Sequence, residues 1–227
     1  MNKIRSSLPD ALAGITDGAT IMIGGFGDAG TPFELIDALA ELGATNLTII
    51  SNNAGTGEEG IAKLIKLGRV SRIVCSFPRQ PNATAFDARY LAGELTLDLV
   101  PQGNLAERIR AAGAGIGAFF TPTGFGTALA EGKETRKING RDYVLEYPIF
   151  ADYALIKARR GDAHGNLVYH ETARNFGPVM ATAAKCTIAQ VAEVVPVGAI
   201  DPEIVVTPGI FVKRVVEVRP HSAAREG

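Results

Sequence analysis

Short apolar runs alternate with longer amphipathic stretches along most of this 227-residue chain. Thr20–Gly24, Leu47–Ser51, Arg72–Ser76, Leu95–Val100 and Gly117–Thr121 are β-rich and predict strands. Between them Phe33–Leu42, Gly60–Leu67, Thr84–Ala92 and Asn104–Ala112 predict helices. In the first helix Leu35, Ile36, Leu39 and Leu42 share one face. In the last, Asn104 is expected to cap the helix with Glu107 three residues in. Its Leu105, Ile109 and Ala112 are expected to face inward, and Arg108 and Arg110 outward. Such alternation predicts an α/β fold with an open, mostly parallel, doubly wound sheet. The pattern breaks from Glu131 to Pro148. There Lys137–Asn139 and Tyr143–Glu146 flank Gly140 and predict a β-hairpin inserted at about 131–148. Strands resume at Ala154–Ala158, Leu167–Tyr169, Thr187–Val195 and Val212–Val218. With no internal repeat, low-complexity tract or polar linker, one domain over 1–227 is expected, ending in a frayed, solvated tail at about 219–227.

Composition narrows the function classes. The formal net charge of −1 gives no electrostatic case for nucleic acid or an anionic membrane. No apolar run reaches membrane-spanning length, and the N-terminus lacks the apolar core of a signal peptide. Cys75 and Cys186 have no disulfide or C-x-x-C framework and read as reduced, buried thiols of a cytoplasmic protein. His164, His170 and His221 show no ligand spacing, so no metal is expected and they read as surface or loop residues.

The candidate chemistry starts at Asp17–Pro32, where the strand Thr20–Ile23 runs into Gly24, Gly25, Gly27 and Gly30. Thr31 reads as the next helix's N-cap, Pro32 as its first residue and Glu34 as the partner in a capping box. Free N–H groups and the helix dipole would then face an anionic or carbonyl-bearing ligand. Gly25-Phe26-Gly27-Asp28-Ala29-Gly30 also fits the dinucleotide-binding spacing. That reading needs a carboxylate after the second strand, and Ser51-Asn52-Asn53-Ala54-Gly55 stands there instead. A ligand-free tight turn is a further reading. Asn52, Asn53 and Gln102 fall at strand ends, where uncharged amides can donate to an oxygen that becomes negative during acyl transfer. Alternatively they merely end strands and cap loops. The chain has no Gly-x-Ser-x-Gly elbow, and its nearest acidic pair, Glu58-Glu59, reads as a helix start.

Taken together, Asp17-Gly18, Ile21-Met22-Ile23, Gly24-Gly25-Phe26, Gly30 and Pro32 resemble the signature of family I CoA-transferases, A-subunit type. The likeness continues through Ser51–Gly55, Pro101–Arg108, Phe120–Thr123 and Ala173–Phe176, and so covers most of the chain. Cys75–Gln80 is similar to the 3-oxoadipate branch of that family. The resemblance implies the family's fold and a CoA thioester as substrate, with no permanently bound cofactor. It implies a partner, the B subunit, which carries the catalytic glutamate in a Ser-Glu-Asn-Gly block that this chain lacks. CoA would move from succinyl-CoA to a 3-oxoacid through a glutamyl-CoA intermediate on that partner. Asn52 and Gln102 match the positions at the reacting carbonyl. Gly24, Gly25, Phe26, Gly27, Gly30, Asn53 and Arg174 would line the substrate and CoA pocket. Arg79 is the candidate for the distal carboxylate of a 3-oxo dicarboxylic acid, since a buried carboxylate needs a cation. Pro78 and Pro81 would stiffen its loop. Acetoacetate as the acceptor remains open, as does a non-enzymatic ligand sensor on the same fold.

Overall fold

A computed structural model describes residues 2–79 and 82–218. The expected tail at 219–227, His221 and the role given to Pro81 lie outside them. The first half of the chain forms β1 (Ile4–Arg5), α1 (Leu8–Leu12), β2 (Thr20–Ile23), α2 (Phe33–Leu42), β3 (Leu47–Ile50), α3 (Ile61–Lys66), β4 (Val70–Cys75), α4 (Thr84–Leu91), β5 (Thr96–Leu99) and α5 (Gln102–Gly113). The second half forms β6 (Phe119–Thr121), β7 (Thr135–Ile138), β8 (Arg141–Glu146), β9 (Ala151–Asp162), β10 (Leu167–Val168), α6 (Gly177–Ala183), β11 (Ala184–Val195) and β12 (Val212–Glu217). The main sheet runs β1-β12-β11-β9-β2-β3-β4-β5 with every neighbour parallel, and β10 adds to β9 antiparallel. The mostly parallel α/β sheet predicted from the alternation is therefore what forms. β1, α1 and α6 carried too short a pattern to be read in advance.

Because side chains alternate across a strand, each apolar run feeds two cores. Ile21, Ile23, Ile49, Ile73 and Cys75 pack with α1 to α4 on one face. Met22, Ile50, Val74 and Val100 pack with Leu105 and Ile109 of α5 and Met180 of α6 on the other.

The predicted fifth strand forms but joins a different sheet. β6 pairs antiparallel with β8, and β8 with β7, as a separate three-stranded sheet. An isolated two-stranded hairpin is marginal in water, and β6 supplies its third strand. That sheet is tied to α5 through buried Glu146. Its carboxylate accepts from Lys133 Nζ at 2.7 Å and Asn104 Nδ2 at 3.3 Å, with Arg108 Nε at 3.6 Å. Two expectations for α5 are corrected by this cluster. Asn104 lies inside the helix rather than capping it, since Pro101 holds the cap position. Arg108 is largely buried, and its Nε donates to Tyr147 O at 2.7 Å. Glu107 pairs instead with Arg110.

The expected capping box of α2 is also replaced. Pro32 holds the cap position and no side chain caps there. Thr31 Oγ1 donates to Gly27 O at 2.8 Å instead. Buried Gln190 of β11 does the capping work across the sheet. Its Oε1 accepts from Leu35 N–H at 3.2 Å and its Nε2 donates to Glu34 Oε2 at 2.6 Å. A rigid buried amide wins over a local hydroxyl because its position is already set by the strand. Gln190→Leu leaves a buried amide and a carboxylate short of partners, so a loss of about 1–3 kcal/mol is expected in urea denaturation. An unchanged midpoint would show that water replaces the glutamine.

Candidate active site

In an open α/β sheet, ligands gather beyond the carboxyl ends of the strands where the strand order reverses. Here the reversal lies at β2. The chain leaves it toward β3, β4 and β5 on one side and returns through β9, β11 and β12 on the other. Gly24 extends β2, and its N–H donates to Leu155 O of β9 at 3.0 Å. The loop then turns through Gly25, Gly27 and Gly30, with φ of 123°, 60° and 75°. A Cβ on Gly30 would stand 2.3 Å from the Ala173 carbonyl oxygen, so backbone meets backbone there. A Cβ on Gly25 would stand 2.1 Å from Thr31 Oγ1, whereas Gly27 faces open space. Phe26 projects into solvent, 52% exposed.

The helix start behind this loop is not the open anion site that the sequence predicts. Phe33 N–H is taken by Thr31 O at 3.0 Å and Leu35 N–H by Gln190. Glu34 adds a carboxylate to the same first turn. What the loop itself offers to a ligand is backbone, the Phe26 ring and the exposed Asp28 carboxylate.

Strand alternation separates the two asparagines that stand side by side in sequence. Ser51 and Asn53 continue the side of Ile49 and line a cavity of about 330 Å³ together with Gly25, Gly27 and the loop 55–60. Asn52 continues the side of Ile50, toward α5. It is buried, and its Oδ1 accepts from Gln102 Nε2 at 2.7 Å and from Ser76 Oγ at 2.8 Å. Asn52 Nδ2 has no hydrogen-bond partner among the described residues and is a donor left for a ligand. Gln102 opens α5 at its exposed N-terminal end, where the helix dipole also favours developing negative charge. Asn52, Gln102 and Ser76 thus form one amide and hydroxyl cluster over the ends of β3, β4 and β5. The sequence marked the two amides. Ser76 ends the predicted strand Arg72–Ser76, and its place directly after β4 is the signal that could have found it.

Charge separates the two sides as well. Asp28, Glu58 and Glu59 line the cavity, and the hydrogen bond from Lys66 holds the Glu58 carboxyl below the usual range. Glu58 and Glu59 precede Gly60, the cap of α3, rather than opening the helix. Lys66 offsets the Glu58 charge, so this wall is polar and only weakly acidic. The neutral amide cluster carries no such charge.

Neither candidate arginine lines the cavity. Arg79 is exposed, with its Nε 2.7 Å from Asp87 Oδ1, which leaves the terminal fork of the guanidinium outward. Arg174 is exposed at the end of a 3-10 turn over Glu171–Arg174 and has no ion pair among the described residues. That turn leads into Asn175, which lies against the glycine loop. Burial pushes the Cys75 thiol up to about 12, which unfits it as a nucleophile at neutral pH. Cys186 is half-buried rather than buried, and burial raises its thiol too. His164 and His170 are exposed, as expected.

The glycines predict a graded response. Gly30→Ala must strain φ and push the Ala173 carbonyl away, so it is expected to cost more stability than Gly27→Ala, by at least about 1 kcal/mol. Thermal or urea unfolding of both variants checks this. Equal midpoints would show that the Gly30 approach is slack.

Residues 5–218 match the coenzyme A transferase family. The chain is 62% identical to the A subunit of 3-oxoadipate CoA-transferase from Pseudomonas putida, over 99% of this chain and 97% of that one. It is 63% identical to the protein of the same name from Acinetobacter baylyi, over 99% of each. In fold it superposes on an acyl-CoA transferase of E. coli O157:H7 with a TM-score of 0.87 at 23% identity, and there all of this chain covers 51% of the other. On the family match and the near-full-length likeness, the chain belongs to the coenzyme A transferase family.

Proposed function

We propose that this chain is the A subunit of a two-subunit CoA-transferase that moves CoA from succinyl-CoA to a 3-oxoacid, 3-oxoadipate in the first place. The near-full-length identity to two proteins of that name carries the reading. The superposition of the whole chain on 51% of an acyl-CoA transferase chain leaves room for a second half, which a B subunit would supply. We take 1–227 to work as one domain. A cytoplasmic location fits two free thiols.

The resemblance implies a glutamate on the B subunit that attacks the acyl-CoA carbonyl and releases CoA as thiolate. The thiolate attacks the resulting anhydride, the first acid leaves, and glutamyl-CoA remains. The second acid then reverses the steps. Every tetrahedral intermediate bears an oxyanion, and Asn52 Nδ2 and the Gln102 amide are the donors proposed to meet it. Being neutral, they stabilise the oxyanion without holding back a carboxylate product. The glycine loop and Asn53 are proposed to wall the CoA thioester, with Arg174 at the mouth. CoA itself is substrate, and no resident cofactor is part of the scheme.

The chain alone is expected to show no CoA transfer and to gain it on mixing with a B subunit. In the reconstituted enzyme, Asn52→Ala or Gln102→Ala should lower kcat by roughly 10²–10³. Turnover by the highly purified chain alone, or effects below about threefold at both positions, would overturn the assignment.

Arg79 is proposed to read the distal carboxylate. Asp87 orients its Nε and leaves two terminal nitrogens for a bidentate grip. Arg79→Ala is expected to lower kcat/KM for 3-oxoadipate and to spare acetoacetate. An equal loss on both acids, or none on either, removes Arg79 from specificity.

A further inference from the structure

We propose that Asn175 is a positioning residue that holds the glycine loop in its binding shape. The inference rests on the reading that this loop walls the CoA thioester. Residues 26–30 hold themselves together by local bonds. Phe26 N–H donates to Ala29 O at 3.0 Å, Thr31 N–H to Asp28 O at 3.2 Å, and Thr31 Oγ1 to Gly27 O. Such bonds fix the loop's internal form but not its place on the protein. Among the described residues, one hydrogen bond joins residues 26–30 to a distant part of the chain. It runs from Asn175 Nδ2 to Ala29 O at 2.9 Å.

The chemistry of Asn175 fits that task. Its second amide hydrogen goes to Thr172 O at 2.8 Å, and its Oδ1 accepts from Phe176 N–H at 2.7 Å. Both hydrogens therefore meet carbonyls and the oxygen meets an N–H, so the amide has one satisfied orientation. Phe176 is buried in the core beside α6, so the anchor end is rigid. Close by, the Gly30 backbone lies against Ala173. A loop with three positive-φ glycines has much conformational freedom to lose on binding a ligand. Asn175 removes part of that freedom before the ligand arrives, which preorganises the wall. An aspartate of the same shape would turn two donors into acceptors and set them against two carbonyls.

The chain contains no tryptophan, so Phe26→Trp gives a single reporter on the exposed tip of the loop. In that background Asn175→Asp and Asn175→Ala are expected to raise acrylamide quenching and lower the anisotropy of the tryptophan. In the two-subunit enzyme with Phe26 retained, the same changes at Asn175 should raise KM for succinyl-CoA roughly three- to tenfold. The value of kcat should stay within about threefold. Circular dichroism checks that each variant folds, and the alanine serves if the aspartate does not. Unchanged quenching and anisotropy in a folded variant would overturn the positioning role. A loosened loop with unchanged KM would overturn its link to thioester binding and with it the reading of the loop as the CoA wall. Loosening together with raised KM supports both.

Discussion

The site depends on where β9 enters the sheet. The chain builds β2 to β5 outward in one direction, leaves the sheet for α5 and the three-stranded antiparallel sheet, and then inserts β9 against the open edge of β2. Ile21, Met22 and Ile23 pair with Tyr153, Ala154 and Leu155, and β9 pairs along most of its length with β11. A strand buried on both faces and bonded on both edges is hard to displace. Everything after it is placed by that insertion. The turn Glu171–Arg174 and residues Asn175 and Phe176 reach the glycine loop although more than half the chain separates them in sequence. Gln190 reaches the start of α2 for the same reason.

That long-range placement also explains what could be read from sequence. Strands showed because Ile21, Ile23, Ile49 and Ile73 serve one core while Met22, Ile50 and Val74 serve the other, which makes short runs wholly apolar. The parallel sheet followed from the alternation with helices. The caps of α2 and α5 were misjudged because their partners are remote. Thr31 is a good local cap, yet Gln190 is already fixed where the N–H groups point. Arg108 looked solvated because nothing in its helix announces Glu146 on a different sheet. At the site, the placement of the amides at strand ends was legible. That Asn52 and Asn53 face different sides was also legible from the parity of Ile49 and Ile50, but pairing Asn52 with Ser76 and Gln102 required knowing that β3, β4 and β5 are neighbours.

The division of charge follows from the same geometry. The side with α2 and α3 holds a cavity with Asp28, Glu58 and Glu59, while the side with α5 presents neutral amides and a helix N-terminus. Backbone and amide dipoles suit charge that appears and disappears within a reaction cycle, because they need no counter-ion to return to rest.

The alternation at the end of β3 constrains how this sequence can drift. The turn Gly43–Asn46 before the strand is pinned, since Ala44 is buried, Thr45 N–H donates to Asp17 Oδ1 at 2.6 Å and Thr45 O accepts from Gly18 N–H at 2.9 Å, so an insertion there would break those bonds. One residue added within Leu47–Asn53 would do something else. It would carry Asn53 to the side of α5, bring Asn52 into the acidic cavity, and exchange the side chains offered to the two cores. The roles of the two asparagines are therefore assigned by counting along a strand rather than by anything in the asparagines themselves. In lineages descended from this chain, this strand can change only in steps of two.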